Sequence, residues 1–383
     1  MTADRVPVTP TQPDQSQRVR GGIRALSKTA NPLNARLLWK SLPSVALEWN
    51  RNHRHHGGLR AALRCLFGAV QICVGPPRQC ARFPGCEIVT FSVVPVLTAV
   101  WAKCINYATQ NTESRLIVGD CSGGFEIAGG PDSLQRHCVA NFSHGEKLDL
   151  FLRTFCGSDY VLICDDDILW LDGKPLEWTL DAMHRDPRVA AVSLVPRPGL
   201  IPLMAGVTDV AMGSYCLLVR RRIWQPEQLS FQVVSPTGSL QCPNFYETAD
   251  FANVELIRRG YKVAVAPEDV RRYLLPSYGV SCWAIRIQRT GGHLLPRLLK
   301  QRGLQPKVYA IVCFMEGVAA LARELRLHLC THDLVPPQML LRAKHELSGL
   351  MDAKEREHIA LRVASDLDRV RALLAQSMRL VRC

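Results

Sequence analysis

Between Tyr160 and Trp170 an apolar run, Val161-Leu162-Ile163-Cys164, passes without transition into three adjacent carboxylates, Asp165, Asp166 and Asp167. A short, continuous apolar run of this kind suits a strand buried on both faces of a parallel sheet. Three aspartates cannot continue it, because burying unpaired charge is costly. They are therefore expected at its carboxyl end, where open α/β sheets place their ligands. In extended backbone alternate side chains share a face, which would set Asp165 and Asp167 together and Asp166 opposite. Oxygen-only ligation suits Mg2+ or Mn2+, ions that normally bridge to substrate phosphates. A solvated acidic turn is the plainer reading of the same residues.

Around this stretch the chain changes texture several times. Residues 1 to about 30, rich in Pro, Gln, Thr and Arg, read as a disordered tail. Residues 31–80 read as a basic helical arm, with Leu37, Leu38, Leu42 and Leu47 in one amphipathic piece and Leu59 to Val74 in another. The joint between them, Arg51 to Gly58, carries His53, His55 and His56 and reads as a solvated loop more readily than as a metal site. Basic charge beside Leu63, Leu66, Phe67, Val70 and Ile72 suits either packing on the main domain or contact with an anionic membrane surface.

After Gly75-Pro76-Pro77, strands and helices alternate: Glu87–Val94, Leu97–Thr109, Arg115–Val118, Glu146–Thr154, Tyr160–Cys164, Leu176–His184, Val189–Val195, Tyr215–Val219, Glu247–Arg259 and Tyr261–Ala266. Such alternation predicts a parallel sheet with helical crossovers over residues 86–275. Residues 276–383 read as a helical extension. Within it, Val308 to Leu321 reads as a buried helix. Asp352-Ala353-Lys354-Glu355 signals a capped helix start. The stripe Ile359, Val363, Leu367, Val370, Leu374 and Met378 that follows is a face for packing or oligomerisation.

Composition narrows the partners. A net charge of +13 implies an anionic one: a phosphate-bearing substrate, an acidic membrane or nucleic acid. Aromatic content of 7% and the lack of a zinc-finger or RNA-recognition signature make the last the weaker option. The 15 cysteines are odd in number and form no CxxC pair, which points to reduced thiols in a cytosolic compartment. No secretory leader is expected in the first 25 residues, and no uncharged run is long enough to span a bilayer.

The order of the pieces carries more than any one of them. A strand closed by Asp120 is followed by a helix bearing Lys147. A Gly-Ser-Asp-Tyr turn then enters the strand that ends in Asp165-Asp166-Asp167. Downstream stand Gly213-Ser214, an acidic helix start (Glu247-Thr248-Ala249-Asp250) and Arg258-Arg259-Gly260-Tyr261. From Cys86 to Pro267 this resembles the GT-A fold of nucleotide-sugar glycosyltransferases, most closely glycosyltransferase family 2. The resemblance implies an α/β fold with a mostly parallel sheet flanked by helices. It also implies a nucleotide-sugar donor, a hydroxyl acceptor and a Mn2+ or Mg2+ cofactor. Asp165 and Asp167 match the metal-holding DxD pair, and Asp165 and Asp166 fall among the donor contacts. Asp120 matches the nucleobase contact, and Lys147 falls where such enzymes set a cation near the diphosphate. Asp250 or Glu247 would be the base that deprotonates the acceptor. Family members show an acidic pair at that helix start, and Thr248 breaks it.

A later polar cluster, Arg286, Gln288 and Arg289 before Gly291-Gly292-His293, does not match the Gln-x-x-Arg-Trp motif of sugar polymerases, since Trp283 precedes it. Arg286 and Arg289 are candidates for a diphosphate contact. Two alternatives stand beside transfer of a sugar. One is nucleotidyl transfer on the same fold, disfavoured because Phe91 to Val96 is neither glycine-rich nor basic. The other is an inactive scaffold whose helical tail binds partners.

Overall fold

The computed structural model describes residues 63–68, 80–125, 127, 133–141, 143–198, 210–232, 248–277, 279–294, 299, 303–327 and 335–380. The tail, the histidine-bearing joint and most of the arm lie outside these residues. Among the described ones, every cysteine is a free thiol and no helix is long and apolar enough to cross a membrane.

The chain enters the sheet with β1 (Cys86–Ser92), buried along its whole length, and turns at Val94 into α1 (Pro95–Ala108). Pro95 opens that helix at a position where a missing N–H costs nothing. Then follow β2 (Ser114–Asp120), β3 (Leu134–Cys138), α2 (His144–Thr154), β4 (Tyr160–Cys164) and the short β5 (Ile168–Trp170). Next come α3 (Lys174–Arg185), β6 (Val189–Ser193), the small β7 (Arg197–Pro198) and β8 (Val210–Ala211), and β9 (Cys216–Arg220). The main domain closes with α4 (Arg221–Trp224), α5 (Asp250–Arg258), β10 (Lys262–Val265), α6 (Glu268–Arg271) and β11 (Leu274–Pro276).

Seven strands form one sheet in the order β10-β6-β9-β4-β1-β2-β3. Its pairs are parallel except those of β9, which runs antiparallel between β4 and β6. The sheet is thus mixed and mostly parallel. The carboxyl ends of β1, β2, β3, β4 and β6 share one rim, and β9 begins there. Tyr160–Cys164 forms over the expected residues, and its register against β9 ends at Cys164 facing Cys216. Immediately beyond it, the side ribbon of β5 and β11 takes the chain off the rim.

The helical extension is α7 (Val280–Arg289), α8 (Gln305–Glu324), α9 (Pro337–Ser348) and α10 (Ala353–Leu380). Asp352 Oδ1 accepts the Lys354 N–H at 2.8 Å, the cap expected from its position. The stripe on α10 is spent within the chain: Ile359, Val363, Leu367, Val370 and Leu374 are buried, and α10 packs on α8 and α1. Gly317 permits that approach, because a Cβ there would lie 2.1 Å from Leu367 Cδ1. A face consumed this way is not available for oligomerisation.

Candidate functional site

The three aspartates leave β4 in a tight turn rather than in extended backbone. The Asp165 N–H donates to the Tyr215 carbonyl at 2.7 Å, and the Ile168 N–H reaches back to the Asp165 carbonyl at 3.1 Å. The expected alternation of faces is therefore replaced by three directions, each met by a different element. Asp166 is buried against α1, with its Oδ2 2.6 Å from the Thr98 hydroxyl, itself 2.8 Å from Ser92 Oγ. Asp167 is buried too, and its Oδ2 accepts the N–H groups of Gly279 at 2.7 Å and Val280 at 3.0 Å. That carboxylate satisfies the first amides of α7, a stabilising place for negative charge. Asp165 is the most open of the three, and its Oδ1 lies 3.8 Å from His144 Nε2.

Burial drives the electrostatics. It pushes the Asp165 carboxyl well above the usual carboxylate range, and Asp167 beside it pushes further. Asp166 is raised to about 8 by burial, against the hydrogen bond from Thr98. Burial raises Asp167 as well, opposed by the Val280 and Gly279 amides. The Lys147 ammonium pulls both Asp165 and Asp166 down.

Lys147 joins the acid turn to the end of β2. It is buried on α2, with Nζ 2.9 Å from Asn141 Oδ1, 3.6 Å from Cys121 Sγ and 4.7 Å from the centre of the Phe91 ring. Helix α2 can sit here because Gly145 meets the backbone of Phe231, where a Cβ would come within 2.3 Å of the Phe231 carbonyl oxygen. His144, one residue earlier, stands edge-on to Phe91 at 5.8 Å. Burial, reinforced by Lys147, holds its imidazole at about 3, so the ring is neutral at physiological pH.

Asp120 has both oxygens engaged within the chain. Oδ1 accepts from the Ser122 N–H and hydroxyl at 2.9 and 2.6 Å and from the Gly123 N–H at 2.9 Å. Oδ2 accepts from the Phe125 N–H at 3.2 Å and from Arg136 Nε and Nη2 at 2.9 and 2.7 Å. Its work in this geometry is to hold the loop from Cys121 to Phe125 in one shape. The helix at 63–68 leans on the same loop: Arg64 Nη1 donates to the Gly123 carbonyl at 3.2 Å, and the Cys65 thiol lies 3.8 Å from the carbonyls of Asp120 and Cys121.

The remaining sequence candidates are placed less centrally. Asp250 is buried at the first position of α5, after Ala249, whose φ of 79° is left-handed. Glu247 lies outside the described residues. Arg286 is exposed with its guanidinium over the Trp283 ring at 4.8 Å, and Arg289 is exposed at the far end of α7 from Asp167. Sequence reading missed Thr98, Arg136 and the place of His144 beside Asp165. Thr98 and Arg136 carry no motif, and His144 was visible only as the residue before Gly145-Glu146-Lys147.

Among the described residues no three His, Cys, Asp or Glu side chains stand together as a ready metal cage. The carboxylate pair of Asp165 and Asp167 nonetheless fits an ion that keeps water and phosphate oxygens in its other positions, as Mg2+ does. The charge that Asp167 imposes on Asp165 is what such a cation would relieve.

No protein-family model and no curated protein sequence matches the chain. Among solved structures it is similar to the mannosyltransferase PcManGT from Pyrobaculum calidifontis, in complex with GDP-Man and Mn2+, at 16% identity and a TM-score of 0.34 over 93% of each chain. It is also similar to the galactosyltransferase LgtC, in complex with donor and acceptor sugar analogues. That match has 16% identity and a TM-score of 0.32 over 48% of this chain and 73% of that one. At that level of overlap, what this chain does has to be read from its own side chains.

Proposed function

We propose that this chain is a metal-dependent GT-A glycosyltransferase that moves a sugar from a nucleoside diphosphate donor to an acceptor hydroxyl by a single inverting displacement. One juxtaposition carries the reading. A turn of three aspartates at the carboxyl end of β4 lies within the field of a buried lysine, and that lysine also touches the loop closing β2, on the other side of β1. Opposed acid and base at a strand-end rim is what a diphosphate with its counter-ion requires.

In this reading Asp165 and Asp167 hold Mn2+ or Mg2+, which supplies positive charge against the departing nucleoside diphosphate. Lys147 would add a fixed cation for the diphosphate, already desolvated and needing no rearrangement. Asp166 locks the turn to α1 through Thr98 and so positions its neighbours for the donor. Asp120 shapes the loop from Cys121 to Phe125 as the wall for the nucleoside. Asp250, or Glu247 three residues before it in the sequence, takes the proton from the acceptor hydroxyl. Arg286 and Arg289 reach a diphosphate only through the length of their side chains. The basic arm, with Leu63 and Phe67 exposed on the helix at 63–68, offers a face to an anionic membrane.

A panel of nucleotide sugars, scored by thermal shift with and without Mn2+, identifies the donor by the rise in Tm that ligand occupancy produces. With that donor, Mn2+-dependent hydrolysis should fall on the order of 100-fold or more in Asp165→Ala, the scale of losing a transition-state charge contact. Asp165 is the residue to change, because the Asp167 carboxylate also caps α7. Absence of both donor-dependent stabilisation and hydrolysis across the panel would leave an inert scaffold as the better account, and hydrolysis that ignores both Mn2+ and this substitution would overturn the metal site.

A further inference from the structure

Resting on the proposed cation and diphosphate site, we infer that His144 is a ligand of that cation, through Nε2. The imidazole begins α2, the helix that also carries Lys147, so it is delivered to the rim by the same element. Its Nε2 atom is buried and has no hydrogen-bond partner, a state that costs free energy in a folded chain. It lies 3.8 Å from Asp165 Oδ1. That separation is too long for a hydrogen bond. It is close to the gap of about 3 Å or more between two ligands that each approach a small divalent ion at about 2.1 Å. The ring is held edge-on by Phe91 at 5.8 Å, which limits its rotation and keeps Nε2 on the carboxylate side. The Asp166 carboxylate is turned away to Thr98 and one Asp167 oxygen to α7. An ion at Asp165 therefore finds in His144 an uncommitted protein donor within reach.

A nitrogen donor changes what the site accepts. Carboxylate and water ligands suit Mg2+ and Mn2+ alike, whereas an added imidazole favours transition-row divalent ions over Mg2+, Co2+ more than Mn2+. The inferred ligand thus predicts that Mn2+ and Co2+ bind more tightly than Mg2+, and that His144→Ala narrows the difference.

The test uses the full chain with Mn2+ and inorganic pyrophosphate, a diphosphate that contains no nitrogen. Pulsed electron paramagnetic resonance of bound Mn2+ should show nitrogen-14 modulation in the wild type and none in His144→Ala. Mn2+ affinity should weaken at least about tenfold in His144→Ala, the lower range seen when only an outer partner of a metal ligand is lost. The wild-type spectrum decides the matter even if the variant folds poorly. Bound Mn2+ that depends on Asp165 yet shows no nitrogen modulation overturns the assignment of His144 and leaves the proposed function standing. Absence of Mn2+ binding by the wild type overturns both.

Discussion

At the scale of single residues, Asp166 is a carboxylate whose environment is costly to charge. Burial lifts it from the ordinary 3.8 to about 8, so the native chain keeps a proton there that the unfolded chain has already released. Stability then falls as pH climbs from near 4 to about 8, because the folded state binds more protons across that window. The urea midpoint measured in EDTA should decline over this range, and the decline should be shallower in Asp166→Asn. A midpoint that rises over the same range in both proteins would contradict the burial seen here. Asp186 behaves in the opposite sense: its hydrogen bond from Lys262 holds it down at about 2, so its contribution is present above 3.8 and is lost as pH falls toward 2.

Elements show why some parts could be read in advance. Strand β4 announces itself as four apolar residues closed by charge, and its rim position follows from the cost of burying that charge. Helix α8 is apolar nearly all round and is buried as expected. Strand β3, Leu-Gln-Arg-His-Cys, is half-buried at the sheet edge and has no apolar run to betray it. What holds it is the register against β2 and the Arg136–Asp120 pair. The reversal of β9 was hidden for a related reason: direction depends on the connection, and an apolar run reads alike both ways. The carboxylate turn could be located from the sequence but its geometry could not, since Thr98, Tyr215 and the α7 amides that shape it are scattered along the chain.

The start of β1 holds a further device that no pattern signalled. Glu87 is fully buried, pairs with Arg115 of β2, and accepts the N–H groups of Gly157 at 2.7 Å and Ser158 at 2.8 Å. Glu87→Ala removes the anion from under a guanidinium and two amides. A loss of about 3–5 kcal/mol in chemical denaturation is expected, the cost of breaking a buried pair from one side.

For the molecule as a whole, the helical extension is part of the core. Five buried aliphatic residues of α10 cover α8 and α1, and at about 1.5–3 kcal/mol each they are worth on the order of 10 kcal/mol. That is comparable with the entire stability of an ordinary domain. A chain ended at Leu350 should therefore bind hydrophobic dyes and lose its cooperative melting transition. Retention of a sharp transition would show that the rest of the fold stands without α10.

Asp167 makes the two parts answer to one another. Its backbone and side chain both hold the segment leading into α7, through Ser277, Gly279 and Val280. With one oxygen tied there, it offers an arriving ligand a single lone-pair face. A grip by both oxygens would strip the helix of its first amide acceptor. On the proposed function, a ligand gripped by Asp167 would be felt as tension at the threshold of a layer it never touches.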